Sequence, residues 1–106
     1  MRLFLYGTLL RPELLARFAG RLPRLTPADL PGWRRVCLRG TRYPTLRRAR
    51  ASVRGATVDV GATALRRLDA YEGVRYRRVR LTVRGPRRPL PAQAWIAQAT
   101  TPRPWP

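Results

Sequence analysis

The strongest constraint on the fold of this chain is the alternation of side chains along residues 77–83. Val79, Leu81 and Val83 are apolar, and the residues around them are arginine or threonine. Because successive side chains of a strand point to opposite faces, this pattern predicts a strand with one buried face and one exposed face.

Two helices are predicted in addition to this strand. The first begins at Pro12, which suits an opening turn, and ends near Gly20. The second covers residues 62–70. Further strands are predicted from short apolar or alternating runs at residues 3–6, 33–38, 55–60 and 92–98. Because the strands and helices do not alternate strictly, the sequence predicts an α+β fold with a mostly antiparallel or mixed sheet.

Other segments are predicted as loops or ends. Residues 26–32 hold two prolines and a glycine, which indicates a loop, and residues 47–54 are interpreted as an exposed hairpin or loop. At 106 residues the chain is expected to form one domain, which we assign to residues 1–99. Residues 100–106 contain three prolines and are predicted to be a frayed or extended Pro-rich C-terminal tail.

The chain is strongly basic. It has 23 arginines, no lysine and five acidic residues, which gives a net charge of +18. Such a charge suits nucleic acid, a membrane surface or an anionic substrate. The alternative is a compositional bias that leaves arginines solvated, and the absence of lysine favours it. We expect non-specific binding to polyanions at low salt but no specific nucleic-acid site, since no recognition motif is present.

Missing residue types exclude several kinds of site. With one cysteine and no histidine, the chain cannot form an internal disulfide, a structural zinc site or a Ser-His triad. No apolar run approaches the roughly 20 residues that span a bilayer. The first residues lack the apolar region and cleavage site of a signal peptide. We therefore expect a cytoplasmic protein without membrane partners, and the sequence makes no prediction of its oligomeric state.

Glu72 is the acidic residue with the most unusual surroundings. It lies at the end of the second predicted helix, three residues after Asp69, and its charged neighbours are otherwise arginines. A carboxylate is poorly placed at a helix C-terminus, so Glu72 is a candidate general base whose pKa burial could raise. The alternative is a surface glutamate paired with Arg75, Arg77 or Arg78. For Asp69 we predict a structural role, in a salt bridge or a hydrogen bond to a backbone amide.

The segment Tyr6, Gly7, Thr8 and Leu9 is a candidate ligand-binding loop. Glycine lets a backbone approach a ligand, and successive amides in such a turn can bind an anion. Thr8 adds a hydroxyl group, and Tyr6 adds an aromatic wall with a polar tip. An ordinary strand-to-helix turn is the alternative, and these residues alone favour it. Two further candidates are tyrosines whose hydroxyls could position a ligand, although each taken singly suits the edge of a core: Tyr43 and Tyr76.

The order of short motifs along residues 2–98 is more specific than any one of them. These motifs are Tyr6-Gly7-Thr8-Leu9, Leu30-Pro31-Gly32-Trp33, Tyr43-Pro44, Leu68-Asp69-Ala70-Tyr71-Glu72-Gly73 and Tyr76-Arg77-Arg78-Val79. Their succession resembles the gamma-glutamylcyclotransferase-like family, which includes the gamma-glutamylamine cyclotransferases and the plant avirulence-induced proteins.

This resemblance implies a small mixed, mostly antiparallel β-barrel with two flanking helices. It also implies that the loop of residues 6–9 closes over a γ-glutamyl group, with its amides binding carboxylate or carbonyl oxygen. Glu72 corresponds to the family's catalytic glutamate, and Tyr76 resembles the tyrosine that follows it.

The implied reaction is an intramolecular acyl transfer that releases 5-oxoproline from a small γ-glutamyl amide or peptide. It needs no metal and no organic cofactor. Residues 9–12 differ from the Arg/Lys-Gly sequence of the amine-specific branch, so the leaving group stays open. Two alternatives remain: a non-catalytic module of the same fold that binds a small ligand or an acidic partner, and a protein that binds nucleic acid through its basic surface.

Overall fold

A computed structural model describes residues 1–21, 23–97 and 100–105, without the side chains of residues 100–103. These residues form two α-helices and six strands: β1 (Arg2–Leu5), α1 (Pro12–Ala19), β2 (Thr26–Leu38), β3 (Pro44–Asp59), α2 (Ala62–Glu72), β4 (Arg77–Arg84), β5 (Pro89–Ile96) and β6 (Thr100–Pro104). A 3₁₀ turn, Thr8–Leu10, separates β1 from α1. The predicted α+β class is confirmed.

Five of the described strands close into a barrel. Hydrogen-bonded neighbours follow the order β3-β1-β5-β4-β2, and a further pairing of β2 with β3 completes the ring. The β1–β5 pair is parallel and the other pairs are antiparallel. The barrel is therefore mixed and mostly antiparallel, as the family resemblance implied.

β1 is buried on both of its faces, which explains its continuous apolar run. Phe4 packs into the barrel interior with side chains from other strands. Leu3 and Leu5 pack on the opposite face, in a cluster that includes Leu15 of α1 and Leu68 of α2. Because burying such a side chain contributes about 1.5–3 kcal/mol, β1 is held firmly between barrel and helices. The residues that follow β1 therefore leave the core from a fixed point.

Both helices end at a glycine. α1 begins at Pro12 as predicted and is capped by Gly20, whose φ of 78° is left-handed. α2 runs two residues beyond its predicted end and is capped by Gly73, whose N–H donates to the Asp69 carbonyl at 3.1 Å. Glu72 is thus the last residue of α2. Neither helix in this part of the chain has the length and apolar character needed to cross a bilayer.

Residues 26–32 were predicted as a loop and are part of a strand, so that prediction was wrong. Residues 47–54 were predicted as an exposed hairpin or loop, and they are a largely exposed part of the β2–β3 hairpin, so the hairpin alternative is the one that holds. Residues 26–32 form the first half of β2, and residues 47–54 lie within β3. Proline is tolerated at strand irregularities, and β2 has one between Pro31 and Trp33. Most of residues 47–54 are exposed, so their sequence does not alternate between apolar and polar residues as a half-buried strand does. The segment is a strand because it pairs with β2.

The chain continues past the barrel into β6. This strand pairs with β2 through the partners Val36 and Pro104 and the partners Leu38 and Thr100. Gln98, at the end of the last predicted strand, and the predicted domain boundary at residue 99 lie outside the described residues. The division into residues 1–99 and 100–106 stays a prediction.

Candidate functional site

A cavity of about 250 Å³ opens where β1 ends. This volume lies just below the roughly 300–1,000 Å³ of pockets that hold a drug-sized molecule, so it suits a smaller ligand. The residues predicted from the sequence as site residues all line it: Tyr6, Gly7, Thr8, Leu9, Tyr43, Glu72 and Tyr76. The fold thus brings together three stretches of chain: the turn after β1, the start of β3, and the end of α2 with the turn that follows.

Glu72 is partly buried in the wall of this cavity. Burial raises the pKa of its carboxyl group to about 7, and the negative charge of Asp69 adds to the effect. Near neutral pH the group therefore divides between its carboxylate and carboxylic acid forms. A side chain in that condition can both take up and give back a proton.

Two of the three arginines proposed as surface partners of Glu72 bind elsewhere. Arg78 donates from Nε to Asp69 Oδ1 at 2.9 Å, and Arg75 donates to the Arg39 carbonyl at 2.9 Å. Among the described residues, the ion pairs are Arg78 with Asp69 and Arg54 with Asp29. No guanidinium group in this part of the chain therefore forms an ion pair with Glu72.

Asp69 has the structural role predicted for it, in a salt bridge. Its Oδ1 accepts from Arg78 Nε and also from the indole N–H of Trp95, at 2.8 Å. Arg78 lies on β4 and Trp95 on β5. These two bonds tie the last turn of α2 to the barrel and so set the position of Glu72.

The loop after β1 is anchored on both sides. The Tyr6 hydroxyl donates to the Trp95 carbonyl, and the Tyr6 carbonyl accepts from Arg35 Nη1 at 3.1 Å. A Cβ atom added at Gly7 would lie 2.7 Å from Pro44 Cγ, so this close approach favours glycine. Thr8 begins the 3₁₀ turn, and the first N–H groups of such a turn have no carbonyl partner within it. Such amides can donate to a ligand in the cavity.

Tyrosine hydroxyls form another part of the wall. Tyr76 donates to the Pro44 carbonyl at 2.7 Å, and burial, with the charge of Glu72, raises its pKa to about 12. Burial also raises the pKa of Tyr6 well above its ordinary value. Both hydroxyls therefore stay neutral near physiological pH. Tyr43 is 61% exposed and forms the rim of the cavity.

Sequence reasoning missed several residues of the site. Trp95 lines the cavity and donates a hydrogen bond to Asp69. The only sequence feature that set Trp95 apart was its position on the opposite face of the predicted strand from Ala94 and Ile96. Arg35 contacts the loop and had no signal, because arginine occurs throughout the chain. The remaining unassigned lining residues are Phe4, Leu5, Pro44 and Tyr71.

The donors and acceptors of the site suit proton transfer and hydrogen bonding to an oxygen atom of a substrate. A carboxyl group with a pKa near neutrality faces the same cavity as the first residues of the 3₁₀ turn. Side chains of the described residues form no cluster of three or more His, Cys, Asp or Glu that could hold a metal ion. Acid–base chemistry on a small substrate with a developing oxyanion fits these groups.

Comparison with known proteins shows which family the sequence matches and which solved structures share the fold. Residues 3–105 match the family described as gamma-glutamyl cyclotransferase, AIG2-like. AIG2-like protein A of Arabidopsis thaliana is 35% identical over 78 residues, which cover 72% of this chain and 47% of that protein. The chain spans about half the length of the plant relatives it matches, between 46% and 54%.

Solved structures share the same fold. A solution structure of a protein from Arabidopsis thaliana superposes with a TM-score of 0.81 at 27% identity, over 95% of this chain and 71% of that one. A structure of a gamma-glutamyl cyclotransferase superposes with a TM-score of 0.83 at 16% identity, over 95% of this chain and 68% of that one. At 16% identity, the similarity to the gamma-glutamyl cyclotransferase structure shows a shared fold and nothing further.

Proposed function

Because this chain belongs to the gamma-glutamyl cyclotransferase, AIG2-like family, we propose that it is an enzyme that releases 5-oxoproline from a γ-glutamyl amide or peptide. The observation that carries this proposal is the shared cavity of Glu72 and the loop of residues 6–9. The substrate is a small molecule, which agrees with a cavity of about 250 Å³.

In the proposed reaction, Glu72 acts first as a base and then as an acid. Its carboxylate removes a proton from the α-ammonium group of the substrate. The freed amine attacks the γ-carbonyl carbon and forms the new C–N bond of a five-membered ring. As the old γ-amide C–N bond breaks, Glu72 returns the proton to the leaving nitrogen. The ring nitrogen loses its second proton, which the released amine takes up, so that the products are the neutral lactam and an ammonium ion. A pKa of about 7 supports both steps, because neither form of the carboxyl group is rare near neutral pH.

The loop amides have the role of stabilising charge in this mechanism. Attack on the γ-carbonyl carbon turns its oxygen into an oxyanion, and backbone N–H groups at the start of the 3₁₀ turn would donate to it. The neutral hydroxyls of Tyr6 and Tyr76 line the same cavity and would orient the γ-glutamyl group. Tyr43, at the exposed rim, would contact the leaving group.

The proposal is tested by measuring 5-oxoproline release from γ-glutamyl dipeptides and γ-glutamylamines. We expect turnover by the wild-type protein and a loss of at least about 100-fold in Glu72→Gln, since general acid–base groups contribute about 10²–10⁴ in rate. Comparing the two substrate classes identifies the leaving group.

The matched control is Glu13→Gln, which removes one carboxylate from the first turn of α1, outside the cavity. We expect this variant to keep wild-type rates. Equal rates for wild type and Glu72→Gln would exclude Glu72 as the catalytic acid–base. Thermal stabilisation by a γ-glutamyl compound without product would instead support a non-catalytic binding module.

A further inference from the structure

We propose that Arg35 is a positioning residue for the loop of residues 6–9, and that Trp105 near the C-terminal end of the chain holds Arg35 in place. This inference rests on the proposed function for its catalytic consequence. The structural part, an ordered loop that depends on Arg35 and Trp105, is measured separately.

The first observation is the hydrogen bond from Arg35 Nη1 to the Tyr6 carbonyl, at 3.1 Å in a partly buried setting. A bond from a charged donor is roughly twice as strong as one between neutral groups. Because the peptide unit is planar and trans, its carbonyl and the following N–H point in opposite directions. By holding the Tyr6 carbonyl, Arg35 also sets the direction of the Gly7 N–H on the far side of the same plane.

The second observation is that Trp105 is fixed beside Arg35 at several points. Its backbone N–H donates to the Arg35 carbonyl at 3.3 Å, and its indole N–H donates to the Arg42 carbonyl at 2.9 Å. The indole ring lies 5.7 Å from the Arg35 guanidinium carbon, within the range of a cation–π contact. Trp105 directly follows β6, so the pairing of β6 with β2 brings it to this place.

These contacts form a continuous path from the end of the chain to the cavity. Trp105 limits the conformations of Arg35, and Arg35 in turn restrains the Tyr6–Gly7 peptide. Within the described residues Arg35 forms no ion pair, so no carboxylate competes for this guanidinium group. The segment predicted as a tail would then support the site although it does not line the cavity.

The chain contains a matched control for this pair. Arg48 lies over the ring of Trp33 at 4.9 Å, in the same β2–β3 hairpin. Arg48→Gln and Arg35→Gln each remove one positive charge and one cation–π contact. Of the two arginines, Arg35 is the one that binds the loop.

The structural arm of the test is hydrogen exchange at the amides of Leu10 and Arg11, which donate to the Gly7 and Thr8 carbonyls at 3.0 Å each and so report opening of the loop. This measurement needs no catalysis. We expect exchange to become about tenfold faster in Arg35→Gln and in Trp105→Ala, because each variant weakens or removes one charge-assisted hydrogen bond to the loop. Exchange in Arg48→Gln should be unchanged. Arg35→Lys retains the charge and should restore part of the protection. Unchanged exchange in Arg35→Gln, or equal acceleration in Arg48→Gln, would overturn the proposal.

The catalytic arm measures kcat and KM for 5-oxoproline release. We expect Arg35→Gln and Trp105→Ala to lower kcat about tenfold with a smaller change in KM, because oxyanion contacts act mainly in the transition state. Arg48→Gln should match wild type, and an equal loss there would contradict the proposal. If wild type itself releases no product, the proposed function fails, and the exchange comparison alone decides the role of Arg35.

Should Arg35→Gln fold poorly, Trp105→Phe provides a milder change. It keeps an aromatic face for Arg35 and removes the indole bond to the Arg42 carbonyl. We expect loop exchange between the wild-type and Trp105→Ala values. Wild-type exchange in both Trp105 variants would show that Trp105 does not hold Arg35.

Discussion

At the scale of single residues, two carboxylates one helical turn apart have different surroundings. Asp69 accepts from Arg78 and from the Trp95 indole, so its charge is compensated. Glu72 faces the cavity, where burial and the charge of Asp69 both disfavour its ionised form. The difference between them therefore comes from the burial of Glu72 and from the donors that reach Asp69, and not from their sequence neighbours.

Asp69→Asn is expected to shift the pH dependence of the proposed reaction. In wild type, kcat/KM should rise with pH through about 7 as Glu72 loses its proton. Asn removes the negative charge that raises the pKa of Glu72 but keeps an acceptor for the Trp95 indole. The midpoint of the rise should therefore move to lower pH.

This shift is read from pH–rate profiles, with Asp29→Asn as the control. Asp29 pairs with Arg54 and does not line the cavity, so its loss should leave the midpoint in place. A midpoint in Asp69→Asn at or above the wild-type value would contradict the assigned coupling between the two carboxylates.

Glu72→Gln is expected to increase stability at neutral and higher pH. The pKa of Glu72 is about 7 in the folded chain, against 4.5 for an ordinary glutamate. Below about pH 4.5 the group is neutral in both states and carries no penalty. Between about pH 4.5 and 7 the unfolded chain ionises this carboxyl while the folded chain keeps it protonated, so the wild-type protein loses stability across that window and the loss levels off above pH 7. The glutamine variant has no such loss.

The gain is measured as the free energy of unfolding in urea at several pH values. After allowing for partial exposure of the side chain, we expect about 1–2 kcal/mol at pH 8, falling toward zero near pH 4. A variant that is less stable than wild type at pH 8 would show that Glu72 is a structural residue.

At the scale of elements, the approach of β3 to β1 determines where the loop begins. A Cβ atom added at Gly55 would lie 2.2 Å from the Leu5 carbonyl oxygen and 2.8 Å from the Phe4 ring. Leu5 is the last residue of β1, directly before the loop of the candidate site. Glycine at this point of β3 lets the two strands pack closely, and so brings the loop over the cavity.

Gly55→Ala is therefore expected to destabilise the protein by about 1–3 kcal/mol, the range for an overpacked core, because a backbone carbonyl has to move. The free energy of unfolding measures this effect. Gly61→Ala is the control, since a Cβ atom there meets nothing within 4 Å. Equal losses in the two variants would mean that close packing at Gly55 is not the cause.

At the scale of the whole molecule, charge works against folding. A net charge of +18 is confined within a radius of gyration of 13.0 Å, and the described residues contain two ion pairs. At low ionic strength the screening length is about 30 Å, similar to the largest dimension of 35 Å, so arginines across the molecule repel one another.

We expect the melting temperature to rise as NaCl increases from about 10 mM to about 150 mM, where the screening length falls to about 8 Å. The double variant Arg47→Gln with Arg50→Gln removes two exposed charges from β3 and should show a weaker salt dependence. A melting temperature that stays constant or falls as NaCl increases would show that repulsion among the arginines does not substantially lower the stability of the folded chain.

Local patterns of burial allowed part of this structure to be predicted from the sequence. The helix from Pro12 to the glycine at position 20, and the strand with alternating residues at 77–83, were predicted correctly because their periodicity is a local property. The ordered motifs indicated the family and, through it, a barrel. They also picked out residues that line one cavity, because motif positions reflect a shared fold.

Tertiary structure alone decided which distant groups meet. Residues 47–54 and β6 are strands because β2 pairs with them, although neither segment shows an alternating pattern. The chain has 23 arginines, and no local pattern distinguishes Arg78, which binds Asp69, from Arg35, which binds the loop. The pKa of Glu72 likewise depends on burial and on which charges lie nearby, and both are properties of the folded molecule.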